Sequence, residues 1–254
     1  MDFTDTQVDI ADGIAIVTLR HPPLNTLTTR MLDEIYACFA RWADDPNVRV
    51  VVFTGGGEKG FSAGADVGEF FSVENPFAKA VDDFRTIEDF PKPVIAAIHG
   101  YCLGGGCEFA LSSHLRIAAD DATIGLTEVK LGILPGWGGT QRLARLVGKT
   151  RALELLLRGQ RITATEAWNI GLVNRIVPAA ELMPTTLALA HELAAGAPVA
   201  HRAILHAVIR GADLPFAQGL ELETQGIEMV WGTEDALEGF TAFKEKRSPK
   251  FIGR

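Results

Sequence analysis

The chain has 254 residues, of which 47% are hydrophobic, which suits one large domain or a domain with an appendage. Acidic residues outnumber basic ones by 32 to 24, and the net charge of −8 argues against nucleic acid as a partner. Three cysteines without disulfide-like spacing, an acidic start without an apolar run, and no stretch long enough to cross a membrane predict a soluble cytoplasmic protein.

The first part of the chain shows strand and helix patterns in alternation. Residues 8–20 alternate as in a strand, and Gly13 predicts a hairpin turn within them. Residues 31–42 carry apolar side chains at helical spacing. The continuous apolar run at 48–53 is typical of a strand that is buried on both faces.

The same alternation continues to about residue 180 and predicts an α/β fold. Further strands are expected at 93–98 and 115–118, and helices at 105–111, 139–147, 150–157 and 163–169. Beyond residue 180 only helical patterns remain. We place a boundary near 195–198, which divides a core at 1–195 from a helical C-terminal region at 196–254.

Residues 104–108, Gly-Gly-Gly-Cys-Glu, are the most informative segment. Glycines that open a helix expose N–H groups that have no intrahelical partner and lie at the positive end of the helix dipole. Such groups can stabilise a developing oxyanion. Ala63-Gly64-Ala65 also follows a strand and predicts a second backbone donor close to a ligand.

Two carboxylates accompany these turns. Glu108 lies three residues after Gly105, on the same face of the predicted helix, and its apolar neighbours predict partial burial and a raised pKa. Glu128 could share a water or a proton with it. The pair therefore predicts general acid/base chemistry. The stiff turn at 135–140 is expected both to begin a helix and to form a wall of the pocket.

Other motifs are weaker. Residues 55–60 contain GxGxxG after a strand, but the small residues that follow do not favour the helix that a dinucleotide site needs. Cys102 and Cys107 have no second Cys/His pair nearby, so we interpret them as buried small residues and expect no metal site.

These segments together resemble the enoyl-CoA hydratase/isomerase (crotonase) superfamily over nearly the whole chain. The resemblance lies in Pro-Leu-Asn at 23–25, FSAGAD at 61–66, KPVIAAIHGYCLGGGCE at 92–108, GILPGWGGTQRL at 132–143 and FKEKRSPKF at 243–251.

The resemblance implies a spiral of ββα turns, two roughly perpendicular sheets and a helical C-terminal trimerisation region. It implies an acyl-CoA thioester substrate, no metal or other cofactor, and trimers or hexamers built as dimers of trimers. By motif position the catalytic residues would be Glu108 and Glu128, with the N–H groups of Ala65 and Gly105 as the oxyanion hole. The coenzyme A site would include Leu24, Ala63, Ala65, Asp66, Val67, Gly105 and Gly136.

Both glutamates are present, which in this family favours hydration of a 2-trans-enoyl-CoA to a 3-hydroxyacyl-CoA. An enoyl-CoA isomerase or another acyl-CoA lyase is an alternative, as is a relative that binds RNA or has a structural role. His99 and Ser113-His114 depart from the family's usual residues, and we expect them to change local hydrogen bonds behind the site. Residues 69–76 lie where the family varies and the acyl pocket takes shape.

Overall fold

A computed structural model describes residues 3–70 and 84–254 of the chain. Most of the variable segment at 69–76 therefore lies outside the described residues. The strands are β1 (Thr6–Ala11), β2 (Ile14–Leu19), β3 (Val50–Gly55), β4 (Val94–Ile98), β5 (Tyr101–Leu103), β6 (Leu115–Ala119), β7 (Thr123–Gly125), β8 (Ile162–Thr163) and β9 (Arg175–Val177).

Helices alternate with these strands and then follow one another to the C-terminus. They are α1 (Thr29–Trp42), α2 (Val67–Phe70), α3 (Gly105–Ser112), α4 (Gly139–Val147), α5 (Lys149–Arg158), α6 (Ala164–Asn169), α7 (Leu182–Ala194), α8 (Pro198–Gly211), α9 (Phe216–Trp231) and α10 (Glu234–Glu245). Residues 84–88 are also helical, and short 3-10 turns occupy Glu128–Leu131 and Ala179–Glu181.

The larger sheet has the order β1-β2-β3-β4-β6-β9. β1 and β2 form the predicted antiparallel hairpin, with Gly13 in the left-handed region at φ 79°. The remaining neighbours pair in parallel. β3 and β4 are buried at every position, which confirms the prediction from their continuous apolar runs.

Alternation of side chains gives this sheet two packed faces. On one face Val50, Val52 and Ile95 pack with Leu182 and the rest of the α7 face. On the other face Val51 and Phe53 pack with the apolar stripe of α1, which includes Ile35 and Phe39. The sheet is thus covered on both sides, as an α/β fold requires.

A smaller sheet, β5-β7-β8, leads directly into the candidate site, because β5 is followed by α3. Gly100, at φ 48°, makes the turn between β4 and β5, and a Cβ there would lie 2.4 Å from the Lys59 carbonyl oxygen. β5 ends at Leu103, and α3 begins two residues later. Four short strands were not predicted from the residue pattern: β5, β7, β8 and β9. Each has only two or three residues and shows no periodicity.

Candidate active site

Residues 62–66 form a backbone segment that runs beside Leu27. The Leu27 N–H donates to the Gly64 carbonyl (2.8 Å), and the Asp66 N–H donates to the Leu27 carbonyl (3.0 Å). Because the flanking residues make these bonds, the N–H of Ala65 points away from Leu27. The segment therefore presents one backbone donor on its opposite side.

Gly105 lies on that opposite side. It is the first residue of α3, so its N–H has no acceptor within the helix. A Cβ on Gly105 would lie 3.2 Å from the Ala65 nitrogen, and a Cβ on Gly64 would lie 3.5 Å from the Gly105 nitrogen. The two predicted N–H groups are therefore neighbours, and neither donates to another residue in the described parts of the chain.

Glu108 is buried, with 2% of its surface exposed, as its apolar neighbours predicted. Its Oε1 accepts hydrogen bonds from the Trp137 N–H (2.7 Å) and the Gly139 N–H (2.8 Å). Gly139 begins α4, so the carboxylate lies at the N-terminal ends of both α3 and α4. The positive ends of both dipoles favour its ionised form.

Burial is nevertheless the dominant influence on Glu108. It raises the pKa of this carboxyl from 4.5 to about 7, and the charge of Glu128 adds to the increase. The two N–H bonds and the charge of Arg142 act in the opposite direction and lower the pKa. The result is a carboxyl group that exchanges its proton near neutral pH, as general acid/base catalysis requires.

Glu128 has different surroundings. It begins the 3-10 turn at Glu128–Leu131 and is 9% exposed, and both carboxyl oxygens are buried without a hydrogen-bond partner among the described residues. Burial raises the pKa of Glu128, and its own nearby N–H, outside hydrogen-bond geometry, offsets part of the increase. A Cβ on Gly104 would lie 3.4 Å from Glu128 Oε1, which places this carboxyl beside the glycine turn.

A cavity of about 100 Å³ joins these groups. Both glutamates and the two backbone turns line its polar part. Apolar side chains line the rest: Val67, Leu131, Ile133, Leu134 and Trp137. Larger cavities lie between the core and α8, but neither glutamate lines them, so the chemistry identifies the smaller cavity as the candidate site.

Most of the predicted site residues meet at this cavity. Ala63, Ala65, Val67, Gly105, Glu108, Glu128 and Gly136 all line it. Leu24 and Asp66 do not: the Leu24 carbonyl accepts the Ala63 N–H (3.0 Å), and the Asp66 carboxylate accepts bonds from Thr26 and Gly68. Their assignment to the coenzyme A site stays a prediction.

Sequence reasoning missed several residues of the site. Leu131, Ile133 and Leu134 line the cavity from a segment with no regular periodicity. Trp137 lies in the turn that was expected to form a wall of the pocket, and its ring lies so close to Gly105 that a Cβ there would be 2.4 Å from it. That contact explains why a glycine is needed at position 105.

Of the residues that depart from the family pattern, the two histidines make local hydrogen bonds, whereas the Ser113 Oγ is buried without a hydrogen-bond partner among the described residues. His99 Nε2 lies 3.1 Å from the Gly57 carbonyl. His114 is buried: Nδ1 accepts the Val94 N–H (2.9 Å), and Nε2 lies 3.0 Å from the Glu88 carbonyl. Burial lowers the pKa of His114 to about 4, so it is neutral near pH 7.

The described residues contain no group of three or more His, Cys, Asp or Glu side chains placed to hold a metal ion. None of their helices is both long and apolar enough to span a membrane.

Comparison with known proteins places the chain in a family. A family model described as enoyl-CoA hydratase/isomerase matches residues 9–254. The short-chain-enoyl-CoA hydratase of Clostridium acetobutylicum is 40% identical over 253 residues, covering 97% of each chain. The crotonyl-CoA hydratase of Syntrophomonas wolfei is 37% identical over 260 residues, covering 100% of each chain.

Solved structures agree with the sequence comparison. The crystal structure of an enoyl-CoA hydratase from Bacillus anthracis superimposes with a TM-score of 0.95 at 40% identity, covering 99% of this chain and 100% of that one. The chain therefore has the crotonase fold and belongs to the enoyl-CoA hydratase/isomerase family.

Proposed function

We propose that this protein catalyses the reversible hydration of a 2-trans-enoyl-CoA to a 3-hydroxyacyl-CoA. The observation that carries the proposal is the meeting of two buried carboxyls, Glu108 and Glu128, with the paired N–H groups of Ala65 and Gly105 in one cavity. Relatives named as hydratases of short-chain enoyl-CoA and crotonyl-CoA support it.

The N–H pair would bind the thioester oxygen. Two backbone donors aimed at one point stabilise the negative charge that develops on that oxygen when the β-carbon is attacked. They act on any acyl-CoA thioester, so they account for activation of the substrate and not for the choice of reaction. That choice depends on the carboxyls.

Glu108 would act as the base. Its two N–H bonds favour the carboxylate, which takes a proton from water as the water oxygen bonds to the β-carbon. The alkene electron pair moves toward the thioester and gives an enolate held by Ala65 and Gly105. Unlike Glu108, Glu128 accepts no hydrogen bond within the described parts of the chain, and burial favours its protonated form.

Glu128 would therefore deliver a proton to the α-carbon. The enolate electrons form the new C–H bond and the thioester carbonyl is restored, so that one water has been added across the double bond. Return of a proton from Glu108 to Glu128, directly or through solvent, completes the cycle. Two carboxyls whose environments differ are the usual basis for separate acid and base roles.

The coenzyme A portion would extend from the cavity along Leu24, Ala63, Asp66, Val67 and Gly136. No metal or redox cofactor enters these steps. We further propose a cytoplasmic protein that acts as a homotrimer or homohexamer in fatty-acid metabolism, without nucleic-acid or membrane partners. Its core would comprise residues 1–195 and its helical C-terminal region residues 196–254.

A spectroscopic assay tests the reaction. Purified protein is offered 2-trans-enoyl-CoA substrates of graded chain length, and loss of absorbance by the conjugated thioester is followed. Hydration lowers that absorbance, whereas isomerisation of a 3-enoyl-CoA raises it. An increase with the 3-enoyl substrate and no decrease with any 2-enoyl substrate would replace the hydratase proposal with the isomerase alternative.

A further inference from the structure

The turn at 137–139, whose N–H groups bind Glu108, also accepts a hydrogen bond from the Arg142 side chain. The Trp137 N–H donates to Glu108, and the Trp137 carbonyl accepts a hydrogen bond from Arg142 Nη1 (2.9 Å). Arg142 Nη2 donates to Glu88 Oε2 (2.9 Å). One guanidinium thus joins the Glu108 turn to a carboxylate on another segment of the core.

Arg142 carries its positive charge where the dipole of α4 disfavours it. It lies in the first turn of α4, and only 11% of its side chain is exposed. Gly138, at φ 98°, makes room for it, since a Cβ there would lie 2.3 Å from Arg142 Nη1. Where a local preference is broken, a functional reason is expected.

Glu88 is a fixed anchor for this arginine. Its carbonyl pairs with His114 Nε2, while His114 Nδ1 accepts the N–H of Val94 at the start of β4. Since Nδ1 accepts, the proton of the neutral ring is on Nε2. The Arg142–Glu88 pair is therefore attached to the central sheet through His114.

We propose that Arg142, anchored by Glu88, is a positioning residue that holds the 137–139 turn so that its N–H groups bind Glu108. Arg142 does not line the cavity, so it would act only through that turn. The inference rests on the proposed hydration, in which Glu108 is the base.

The charge of Arg142 supports the same role. Glu128 and Arg142 are leading electrostatic influences on Glu108 among the described charged side chains. Glu128 raises the pKa of the Glu108 carboxyl, and Arg142 lowers it. Arg142 would thus keep the base ionised at a lower pH as well as fix its position.

Four variants test the proposal: Arg142→Gln, Arg142→Lys, Glu88→Gln and the control Arg145→Gln. Arg145 is on the same helix and pairs with Asp213 at the surface. For Arg142→Gln we expect kcat to fall about tenfold or more, because small displacements of catalytic groups have effects of that size. KM should change little. In a plot of kcat against pH, the fall in kcat on the acid side should move to higher pH by roughly half a pH unit or more.

The other variants separate charge from geometry. Arg142→Lys keeps the positive charge, so the acid side of its pH profile should stay near that of the wild type. Its single amino group cannot bind both the Trp137 carbonyl and Glu88 as the two guanidinium nitrogens do, so kcat should fall. Glu88→Gln should lower kcat less than Arg142→Gln, and the double variant should be no worse than Arg142→Gln alone, since the two residues act as one unit. Arg145→Gln should match the wild type.

An activity-free measurement separates this proposal from the function. Infrared difference spectra against Glu108→Gln report the titration of Glu108, which Arg142→Gln should move to higher pH. A wild type without hydratase activity would refute the proposed function, whereas an unmoved titration together with unchanged kcat in Arg142→Gln would refute the positioning role. If circular dichroism shows that Arg142→Gln is unfolded, kcat decides, and unchanged kcat in both Arg142→Lys and Glu88→Gln would refute the positioning role.

Discussion

Glu108 and Glu128 are the same residue type in different surroundings. Glu108 accepts two backbone N–H bonds, whereas neither oxygen of Glu128 has a hydrogen-bond partner among the described residues. Hydrogen bonds to a carboxylate favour its charged form, and burial favours its neutral form. At Glu108 burial is the larger effect and raises the pKa to about 7 despite the two hydrogen bonds. The proposed roles, Glu108 as base and Glu128 as acid, rest on the donors that only Glu108 has for its charged form.

Replacing either carboxyl by an amide should separate catalysis from binding. Glu108→Gln and Glu128→Gln keep the side-chain shape but lose the proton chemistry, so each should lower kcat by about 100-fold or more. KM should change much less, since the Ala65 and Gly105 N–H groups hold the thioester. Steady-state kinetics with crotonyl-CoA measures both constants. Near-full activity of Glu128→Gln would make Glu128 structural and favour the one-glutamate isomerase alternative.

The raised pKa of Glu108 predicts a dependence of stability on pH. Below about pH 4.5 the carboxyl is protonated in both the folded and the unfolded chain, so it has no effect. As the pH rises from 4.5 to about 7, the unfolded chain releases a proton that the folded chain retains. The free energy of unfolding should therefore fall over this range, by roughly 3 kcal/mol in total, and change no further above it.

Urea denaturation between about pH 5 and pH 8 measures this effect. The wild type should lose stability relative to Glu108→Gln as the pH rises, because glutamine does not ionise. Protomer concentration must be the same throughout, since assembly also stabilises the folded chain. A constant difference between the two proteins across the range would contradict the raised pKa.

The sequence allowed the types of the site residues to be predicted, but not their partners. Gly105 and Glu108 are close in the chain, so helical spacing placed them together. The N–H groups that hold Glu108 belong to Trp137 and Gly139, 29 and 31 residues away. Arg142 and Glu88, 54 residues apart, were missed for the same reason. Contacts between distant segments depend on the tertiary fold and leave no periodic signal in the chain.

At the scale of elements, the start of α3 is tightly constrained by its neighbours. A methyl group on Gly105 would meet the Trp137 ring at 2.4 Å and the Ala65 nitrogen at 3.2 Å. Gly105→Ala should therefore displace the turn or the ring and lower kcat/KM for every acyl-CoA substrate, by about 100-fold, the scale of losing one oxyanion donor.

Gly232→Ala is the matched control, because no heavy atom lies within 4 Å of the added methyl group. It should keep wild-type kinetics. Both variants should keep the wild-type circular dichroism spectrum. Unchanged kcat/KM in Gly105→Ala would contradict the close approach of the two backbone turns.

Long elements were predicted well, and short ones were not. The helix predicted at 139–147 has those bounds, and the helix predicted at 31–42 begins two residues earlier, after the N-cap Thr28. The strands of the smaller sheet are two or three residues long. They are defined by their pairing partners, so neither alternation nor an apolar run marks them in the sequence.

At the scale of the whole molecule, polar contacts tie the C-terminal helices and the last residues to the core, among them the ion pairs Arg145–Asp213, Arg202–Asp44 and Arg210–Asp89. Arg49, just before β3, donates to the carbonyls of Ala194 and Phe251 (3.0 Å each). The buried Asp235 carboxylate accepts the N–H groups of Ile252 and Gly253. These bonds fix the last residues against α10 and the sheet. The division at residue 195 stays a prediction that separate expression of 1–195 would test.

The surface of these helices predicts self-association. None of the 16 residues of α9 is buried in the single chain, and large apolar side chains are exposed on it and beside it: Leu214 (40%), Phe216 (83%), Leu220 (44%), Ile227 (59%), Met229 (53%) and Trp231 (71%). Large apolar side chains exposed in such number on one helix and beside it favour an interface. Burying them against a second copy would stabilise the assembly by the hydrophobic effect.

We therefore expect the wild type to sediment as a trimer or a hexamer at micromolar concentration. A double variant, Phe216→Asp with Trp231→Asp, should shift the distribution toward smaller species, because a charge in an apolar interface is costly to desolvate. Glu221→Gln with Glu228→Gln, which changes the charge but not the apolar surface of the same helix, should sediment as the wild type does. A wild type that is monomeric under these conditions would refute the proposed assembly. The exposed side chains of α9 would then need another explanation.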